Sequence, residues 1–252
     1  MITKETKVVQ IFELEKSIYL MKLYAPEVAA NCYPGQFVNI KVTNSTFPLL
    51  RRPFSICDVE GENVIFMFSV YGEGTKLLAS KKTGEDIDLL GPLGRGFNID
   101  DDYDAAFFVA GGIGVAPFPF LTRMLPEDKK VYSFIGGRSV HDVITYGMKN
   151  YLISTDDGTL GFKGNVVELL ENNIELFKNH KVKIFGCGPT AMLRALKAFS
   201  LKYDFNCEVS TESAMACGFG ICQGCPIETP EREEYYLICK DGPVFNVKSV
   251  IL

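Results

Sequence analysis

The sequence predicts three successive units: a small antiparallel β-barrel, an open α/β sheet of the Rossmann-like type, and a short cysteine-rich segment near the C-terminal end. Short β-rich runs separated by turn residues fill the first third of the chain, a pattern typical of small barrels and sandwiches. The middle third alternates apolar strands with helical patterns, which favours a parallel sheet. Four of the chain's eight cysteines then fall within residues 217–239.

Composition narrows the class of protein. The 252 residues, 47% hydrophobic and 23% charged, are typical of a folded protein and suffice for two domains and a small third unit. The formal net charge of -5 and the scattered basic residues argue against a nucleic-acid partner. The first residues lack the apolar core of a secretory signal, which predicts a cytoplasmic protein. The apolar stretch 105–121 contains three glycines and two prolines and is too short to cross a membrane, so no membrane association is expected.

Alternating β-rich runs predict the strands of the barrel. The predicted strands are residues 8–14, 18–24, 36–42 and 64–70, with turns at Pro34-Gly35 and 60–63. The glycine-rich stretch 91–97 is interpreted as the exit from the barrel.

The run Arg-Arg-Pro-Phe-Ser at 51–55 is the first polar motif of this region. On a strand, Arg52 and Phe54 would share one face, and Pro53 and Ser55 the other. A planar anionic ligand could use the guanidinium, the ring and the hydroxyl. The alternative is an ordinary edge strand with one solvated arginine.

A glycine-rich turn at 71–76 is the second polar motif. It leads into a predicted short helix, whose free N–H groups would suit an anion. A plain hairpin or loop is the alternative.

Apolar strands that stop at glycine or an acidic residue predict the α/β unit. The predicted strands are 105–110, 131–136, 151–155 and 182–185, and the predicted helices are 118–125, 166–177 and a third that ends at 199. The loop Gly111-Gly112-Ile113-Gly114 departs from the usual dinucleotide fingerprint, but its small residues still allow a pyrophosphate to approach a helix start. A tight turn without a ligand is the alternative.

Ligands of open parallel sheets bind beyond the carboxyl ends of the strands. We therefore expect Gly112, Arg138, Asp156 and Cys187 to gather around one crevice. A small buried hydrophobe is the alternative role for Cys187, as is usual for an intracellular cysteine. The cysteines assigned to that role outright are Cys32, Cys57 and Cys207.

The cysteine spacing at 212–239 is that of an iron–sulfur site. The four thiols are Cys217, Cys222, Cys225 and Cys239. Cys-x4-Cys-x2-Cys with a distant fourth cysteine is the plant-type [2Fe–2S] arrangement. Gly218, Gly220 and Gly224 would allow positive φ and bring N–H groups close to the sulfides. The alternatives are structural zinc, which usually needs two close pairs of ligands, and disulfides, which a chain of this length does not need.

Together these motifs resemble the ferredoxin–NADP reductase superfamily over essentially the whole chain. Within it, the likeness is strongest to the electron-transfer subunits of NAD-dependent (class 1B) dihydroorotate dehydrogenases. The residues implied to bind FAD are Arg52, Pro53, Phe54, Ser55, Met67, Phe68, Ser69, Gly74 and Thr75, with Ser69 standing where relatives often carry arginine. By resemblance or by the crevice argument, the residues expected at NAD(H) are Gly111, Gly112, Gly114, Arg138, Asp156, Cys187 and Gly188. The implied cluster ligands are Cys217, Cys222, Cys225 and Cys239.

The resemblance implies a β-barrel flavin domain (1–98), a nucleotide-binding α/β domain (99–206) and a [2Fe–2S] subdomain (207–252). NADH would reduce FAD, and single electrons would then pass through the cluster to a separate, FMN-containing dihydroorotate dehydrogenase subunit, in a heterotetramer of two copies of each. No side chain is expected to act as a general base or nucleophile, because the cofactors supply the chemistry. Phe219, Ile221 and Pro226 are expected at the partner interface or, alternatively, packed on the chain itself.

Two readings compete with this one. The same features would suit the reductase subunit of a sulfite reductase, a soluble hydrogenase or another complex, or a non-catalytic electron carrier.

The choice of dinucleotide depends on residues that contact the ribose, and the candidates are Arg138, Asp156 and Asp157. We favour NADH.

Overall fold

The first unit of this computed structural model, which describes residues 2–231 and 234–252, is a closed antiparallel barrel. Its strand order is β1-β2-β5-β4-β3-β6. The strands are β1 (Ile2–Glu15), β2 (Ile18–Tyr24), β3 (Phe37–Lys41), β4 (Arg52–Glu60), β5 (Asn63–Ser69) and β6 (Asp86–Leu93). Two short helices, α1 (Pro26–Ala29) and α2 (Glu73–Ala79), lie in the connections. The predicted barrel is confirmed.

The motif at 51–55 does not lie on an edge. Most of it belongs to β4, which pairs with β3 on one side and β5 on the other. The stretch 91–97, interpreted as the barrel exit, begins with the last three residues of β6, Gly91 to Leu93, and leaves the barrel after them. Gly91 serves close packing, because a Cβ there would lie 2.8 Å from Val38 Cγ1.

The second unit is a seven-stranded sheet. The remaining strands of the chain are β7 (Ala105–Gly111), β8 (Lys130–Gly137), β9 (Tyr151–Thr155), β10 (Phe162–Lys163), β11 (Val182–Cys187), β12 (Asn206–Ser210), β13 (Pro226–Glu228), β14 (Tyr235–Leu237) and β15 (Val244–Asn246). The sheet has the order β10-β9-β8-β7-β11-β12-β15, and only β15 pairs antiparallel. The predicted Rossmann-like sheet is confirmed.

Three helices cover this sheet: α3 (Phe118–Met124), α4 (Val166–Asn172) and α5 (Thr190–Lys202). The helix predicted at 166–177 stops at Asn172, because Asn173 leaves helical geometry at φ -108 and ψ 23, and a separate 3-10 turn follows at Ile174–Phe177. The Asn165 side chain caps the start of α4 by accepting from the N–H groups of Val167 and Glu168.

The C-terminal segment is interlocked with the second unit. β12 and β15 belong to the seven-stranded sheet, although both lie at or beyond the boundary predicted at 206, and only β13 and β14 form a separate two-stranded sheet. The cysteine-rich loop, with β13 and β14, packs through Leu237 and Cys239 against Phe37 of the barrel. No helix in the described part of the chain is long and apolar enough to span a membrane.

The barrel and the α/β sheet pack against each other through one apolar core. Met67 and Cys57 of the barrel share this core with Phe108 and Phe185 of the sheet. The Arg123 side chain reinforces the contact by pairing with Asp58 at 2.7 Å. The groove between the two units is therefore fixed on both sides.

Candidate cofactor sites

A cavity of about 1400 Å³ lies in the groove between the barrel and the carboxyl ends of the parallel strands. Sites for single small molecules usually measure about 300–1,000 Å³, so this cavity has room for more than one ligand. The predicted site residues that line it are Arg52, Pro53, Phe54, Ser55, Met67, Phe68, Ser69, Thr75, Gly111, Gly112, Gly114, Arg138, Asp156, Cys187 and Gly188. The structure thus brings the two predicted cofactor sites together.

The guanidinium of Arg52 lies over the first turn of α2. A Cβ on Gly74 would stand 3.1 Å from Arg52 Nε, and Arg52 Nη1 donates to Leu50 O at 2.7 Å. Thr75 Oγ1 accepts from the N–H groups of Tyr71 and Gly72, each at 3.2 Å, and thereby orders this turn. A fixed positive charge beside the free N–H groups of a helix start suits a phosphate or diphosphate.

The two faces of β4 differ as alternation predicts. The ring of Phe54 packs inside the barrel on Phe66 and Phe68, with ring centroids 5.3 and 5.6 Å away. Pro53 and Ser55 therefore point to the outer face, toward the cavity. Arg52 lies on the same face of β4 as Phe54, but its side chain is long enough to reach α2.

Three glycines at the end of β7 and in the turn after it are required, two for close packing and one for its backbone conformation. A Cβ on Gly111 would lie 2.8 Å from Met192 Sδ, whereas one on Gly114 would lie 2.3 Å from Cys187 O. Gly112 faces open space but has φ +54, which side-chain-bearing residues rarely adopt. The turn therefore packs directly on the end of β11, and its glycines place no side chain on this part of the cavity wall.

Arg138 and Asp156 line the cavity beyond β8 and β9. Asp157 does not line it, because its carboxylate accepts from Thr159 N at 2.9 Å and Thr159 Oγ1 at 2.7 Å. Of the two acidic residues considered from the sequence, Asp156 is thus the one that lines the cavity.

The thiol of Cys187 forms part of the cavity wall. Burial, with the nearby charge of Glu212, raises the pKa of Cys187 to about 12. A protonated thiol is a packing group rather than a nucleophile. The three cysteines assigned to the core are confirmed as buried: Cys32, Cys57 and Cys207.

The four cysteines of the C-terminal segment fall into two pairs. Cys217 Sγ accepts from Cys222 N at 3.5 Å, and Cys225 Sγ lies 3.2 Å from Cys239 Sγ. Burial alone would raise the pKa of Cys217, but N–H donors from Cys222 and Phe219 reverse this and lower it to about 6. A thiolate is the form that binds metal.

Local backbone geometry shapes the site formed by Cys217, Cys222, Cys225 and Cys239, which we call the thiol nest. Gly218 and Gly220 have φ +82 and φ +89, as predicted, whereas Gly224 does not, because Gln223 takes the positive φ of 57. Among residues 2–231 and 234–252, no three Cys, His, Asp or Glu side chains converge on a position for one metal ion. Two pairs of cysteine side chains, 217 with 222 and 225 with 239, fit a [2Fe–2S] cluster, which takes two protein ligands on each iron.

One layer of side chains separates the large cavity from the thiol nest. Phe37 and Met215 line the cavity and also pack in the apolar cluster that contains Cys225 and Cys239. The opposite side of the nest faces solvent, where Ile221 is 75% exposed. Of the predicted interface residues, Pro226 is also exposed, whereas Phe219 packs on its own chain.

Sequence reasoning missed several residues that line the cavity or join it to the nest. They include Phe37, Tyr71, Met192, Glu212 and Met215. Tyr71 had a usable signal, since it is the first residue of the glycine-rich turn at 71–76, and it is 88% exposed. The others come from elements distant in sequence, and only the packing of β3, α5 and the segment after β12 places them there.

Comparison with known proteins gives one family match to part of the chain. Residues 212–251 match the iron-sulfur cluster binding domain of dihydroorotate dehydrogenase B. This region contains all four cysteines of the nest. The match supports the cluster interpretation over zinc or disulfides.

Relatives of known name match over almost the full length. The electron transfer subunit of dihydroorotate dehydrogenase B (NAD(+)) from Bacillus cereus is 39% identical over 254 residues, covering 95% of each chain. The protein of the same name from Desulforamulus reducens is 34% identical over 257 residues, covering 98% of this chain and 97% of the relative.

Solved structures share the fold at lower identity. An NADH-dependent reduced ferredoxin-NADP oxidoreductase, described in connection with electron bifurcation, superposes with a TM-score of 0.86 at 22% identity, covering 98% of this chain and 90% of that one. A ferredoxin NADP+ reductase from Neisseria gonorrhoeae gives a TM-score of 0.64 at 18% identity, covering 81% and 91% of the two chains. The predicted superfamily fold is confirmed.

Proposed function

Because the chain belongs to the family of electron transfer subunits of dihydroorotate dehydrogenase B, we propose that it exchanges electrons with NADH at FAD and relays them through a [2Fe–2S] cluster to a dihydroorotate dehydrogenase catalytic subunit. The observation that carries this proposal is the adjacency of the sites. A cavity with room for FAD and a nucleotide shares Phe37 and Met215 with the thiol nest.

FAD and the cluster, when bound, supply the hydride and one-electron chemistry. The chain's own residues position them. Arg52 and the first turn of α2 hold the FAD diphosphate, and Pro53 and Ser55 face the flavin. The close-packed turn with Gly114 admits the nucleotide, and Asp156 accepts hydrogen bonds from the ribose hydroxyls, which favours NADH over NADPH. When the cluster is bound, Cys217 and Cys222 would hold one iron, and Cys225 and Cys239 would hold the other.

Because the relatives' name specifies NAD(+), the oxidised nucleotide, the relay would also carry electrons from the partner to the nucleotide. The partner is the FMN-containing catalytic subunit, in a heterotetramer with two copies of each chain. The exposed side of the nest, with Ile221 and Cys222, is where it would dock, because apolar groups beside a buried cofactor are typical of an interface.

Analysis of anaerobically purified protein tests the cofactor part. We expect about one FAD, two iron and two sulfide per chain, with iron lost in Cys222→Ser and retained in Cys32→Ser, whose thiol lies in the barrel core. Zinc in place of iron, or FMN in place of FAD, would contradict the assignment.

Affinity purification from the native host tests the partner. Coelution of a dihydroorotate dehydrogenase catalytic subunit supports the proposal. A sulfite reductase or hydrogenase subunit would reassign the partner. A lone monomer with full NADH-dependent activity on a small substrate would refute the relay.

A further inference from the structure

Asn39 connects the strand beside the FAD site to the loop that carries the first cluster cysteine. It lies on β3, pairs in register with Pro53 of β4, and is completely buried. Its side-chain Nδ2 donates to Cys217 O at 3.3 Å. One residue thus contacts both the flavin-facing strand and the cluster loop.

The contact between Asn39 and the cluster loop leaves no spare room. Gly218, the residue after the first cysteine, has φ +82, and a Cβ there would lie 2.3 Å from Asn39 Nδ2. From the barrel side, Arg51 Nη1 donates to Asn39 O at 3.4 Å, and Arg51 is itself held by Asp88 at 2.6 Å. Arg51 therefore holds the backbone of Asn39, and the cluster loop at Cys217 and Gly218 confines its side-chain amide.

Stability alone does not explain a polar side chain here. Asn39 Oδ1 is buried and has no hydrogen-bond partner in the described part of the chain. An unpaired buried carbonyl costs free energy, which an apolar side chain of similar size would avoid. The Asn39 side chain is needed for its N–H donor, which binds the backbone carbonyl oxygen of Cys217, a proposed cluster ligand.

We propose that Asn39 is a positioning residue that fixes Cys217 beside the flavin strand and raises the reduction potential of the cluster. This inference depends on the proposed function. Reduction adds a negative charge to the cluster, and nearby hydrogen-bond donors stabilise that charge. In a buried, weakly polar environment the effect of one amide dipole is enlarged. Loss of the donor should lower the potential, and a carboxylate in its place should lower it further.

The test compares Asn39→Leu and Asn39→Asp with the control Asn63→Leu. Asn63 is also a barrel asparagine that donates to a backbone carbonyl, Glu60 O at 3.1 Å, but it lies at the hairpin between β4 and β5. The readouts are FAD content, iron content, the electron paramagnetic resonance spectrum of the reduced cluster, and its potential by redox titration.

We expect Asn63→Leu to match the wild type in all readouts. Asn39→Leu should keep FAD and either lose iron or change the spectrum of the reduced cluster. Where the cluster is retained, its reduced-to-oxidised ratio at a given potential should fall about tenfold, which is equivalent to about 59 mV for one electron. Asn39→Asp should shift the ratio further in the same direction.

Two results would overturn the inference. In one, either Asn39 variant keeps FAD and iron with an unchanged spectrum and potential. In the other, both variants lose FAD together with iron, which would show that Asn39 supports the barrel rather than the cluster loop. Wild-type protein without iron would instead refute the proposed function, so the two failures are distinguishable.

Discussion

Gly114→Ala tests whether the turn after β7 must touch the end of β11 for the nucleotide to bind. The new Cβ would lie 2.3 Å from Cys187 O and 2.7 Å from Gly188 Cα. Carbon atoms pack best at about 3.5–4.0 Å, so the two backbones must separate by roughly 1 Å. Both belong to the cavity wall where NAD(H) is proposed to bind.

The magnitude follows from that displacement. A misplacement of about 1 Å in a reacting geometry can reduce a rate by about 10²-fold. Overpacking of a well-packed region typically costs about 1–3 kcal/mol. We therefore expect reduction of bound FAD by NADH to slow by about two orders of magnitude, while FAD and iron contents remain unchanged.

Anaerobic stopped-flow measurement of flavin absorbance provides the assay. Gly61→Ala is the control, because Gly61 has φ +57 in the β4–β5 hairpin with nothing near its Cβ position, so it adds backbone strain far from the cavity. An NADH reduction rate and a melting temperature equal to those of the wild type would refute the reasoning for Gly114.

Three further predictions concern single side chains. Arg52→Ala should release FAD on gel filtration, because the guanidinium over α2 is the fixed charge beside the proposed diphosphate site; full FAD retention would contradict this. Asp156→Ser should lower the preference for NADH over NADPH, measured as the ratio of kcat/KM values, by roughly tenfold, since it removes the acid proposed at the ribose; an unchanged ratio would reassign that role. Lys183→Met should destabilise the fold by about 3–5 kcal/mol in denaturant titration, because the buried Lys183 pairs with Asp101 and Glu208. Burial raises the pKa of Asp101, but the hydrogen bond and charge of Lys183 outweigh burial and hold this pKa below its ordinary value. The contribution of Asp101 to wild-type stability should therefore be lost as the pH drops below about 4, and this loss should be smaller in the variant.

The sequence was most informative where chemistry requires a local motif. The spacing of the four cysteines indicated the thiol nest, and strands ending in glycine indicated the crevice around Gly112 and Cys187. These signals work because a cluster and a pyrophosphate constrain residues that are neighbours in the chain.

Features that depend on distant packing could not be predicted in this way. Gly91 looks like a turn residue, but it is needed for close packing on Val38 within β6. Asn39 has no motif of its own, and its role depends on a loop 178 residues further along the chain. The assignment of β12 and β15 to the seven-stranded sheet likewise required their pairing register.

The central claim is that electrons pass between the nucleotide and a partner subunit only through FAD and the cluster. The most direct measurement is NAD+ reduction by dihydroorotate in a mixture of this chain with the proposed partner, a dihydroorotate dehydrogenase catalytic subunit from the same organism. Wild-type chain should support turnover, whereas Cys222→Ser, still loaded with FAD and still reducing dyes with NADH, should not. Equal turnover with wild-type and Cys222→Ser chains would show that electrons bypass the cluster and would contradict the account.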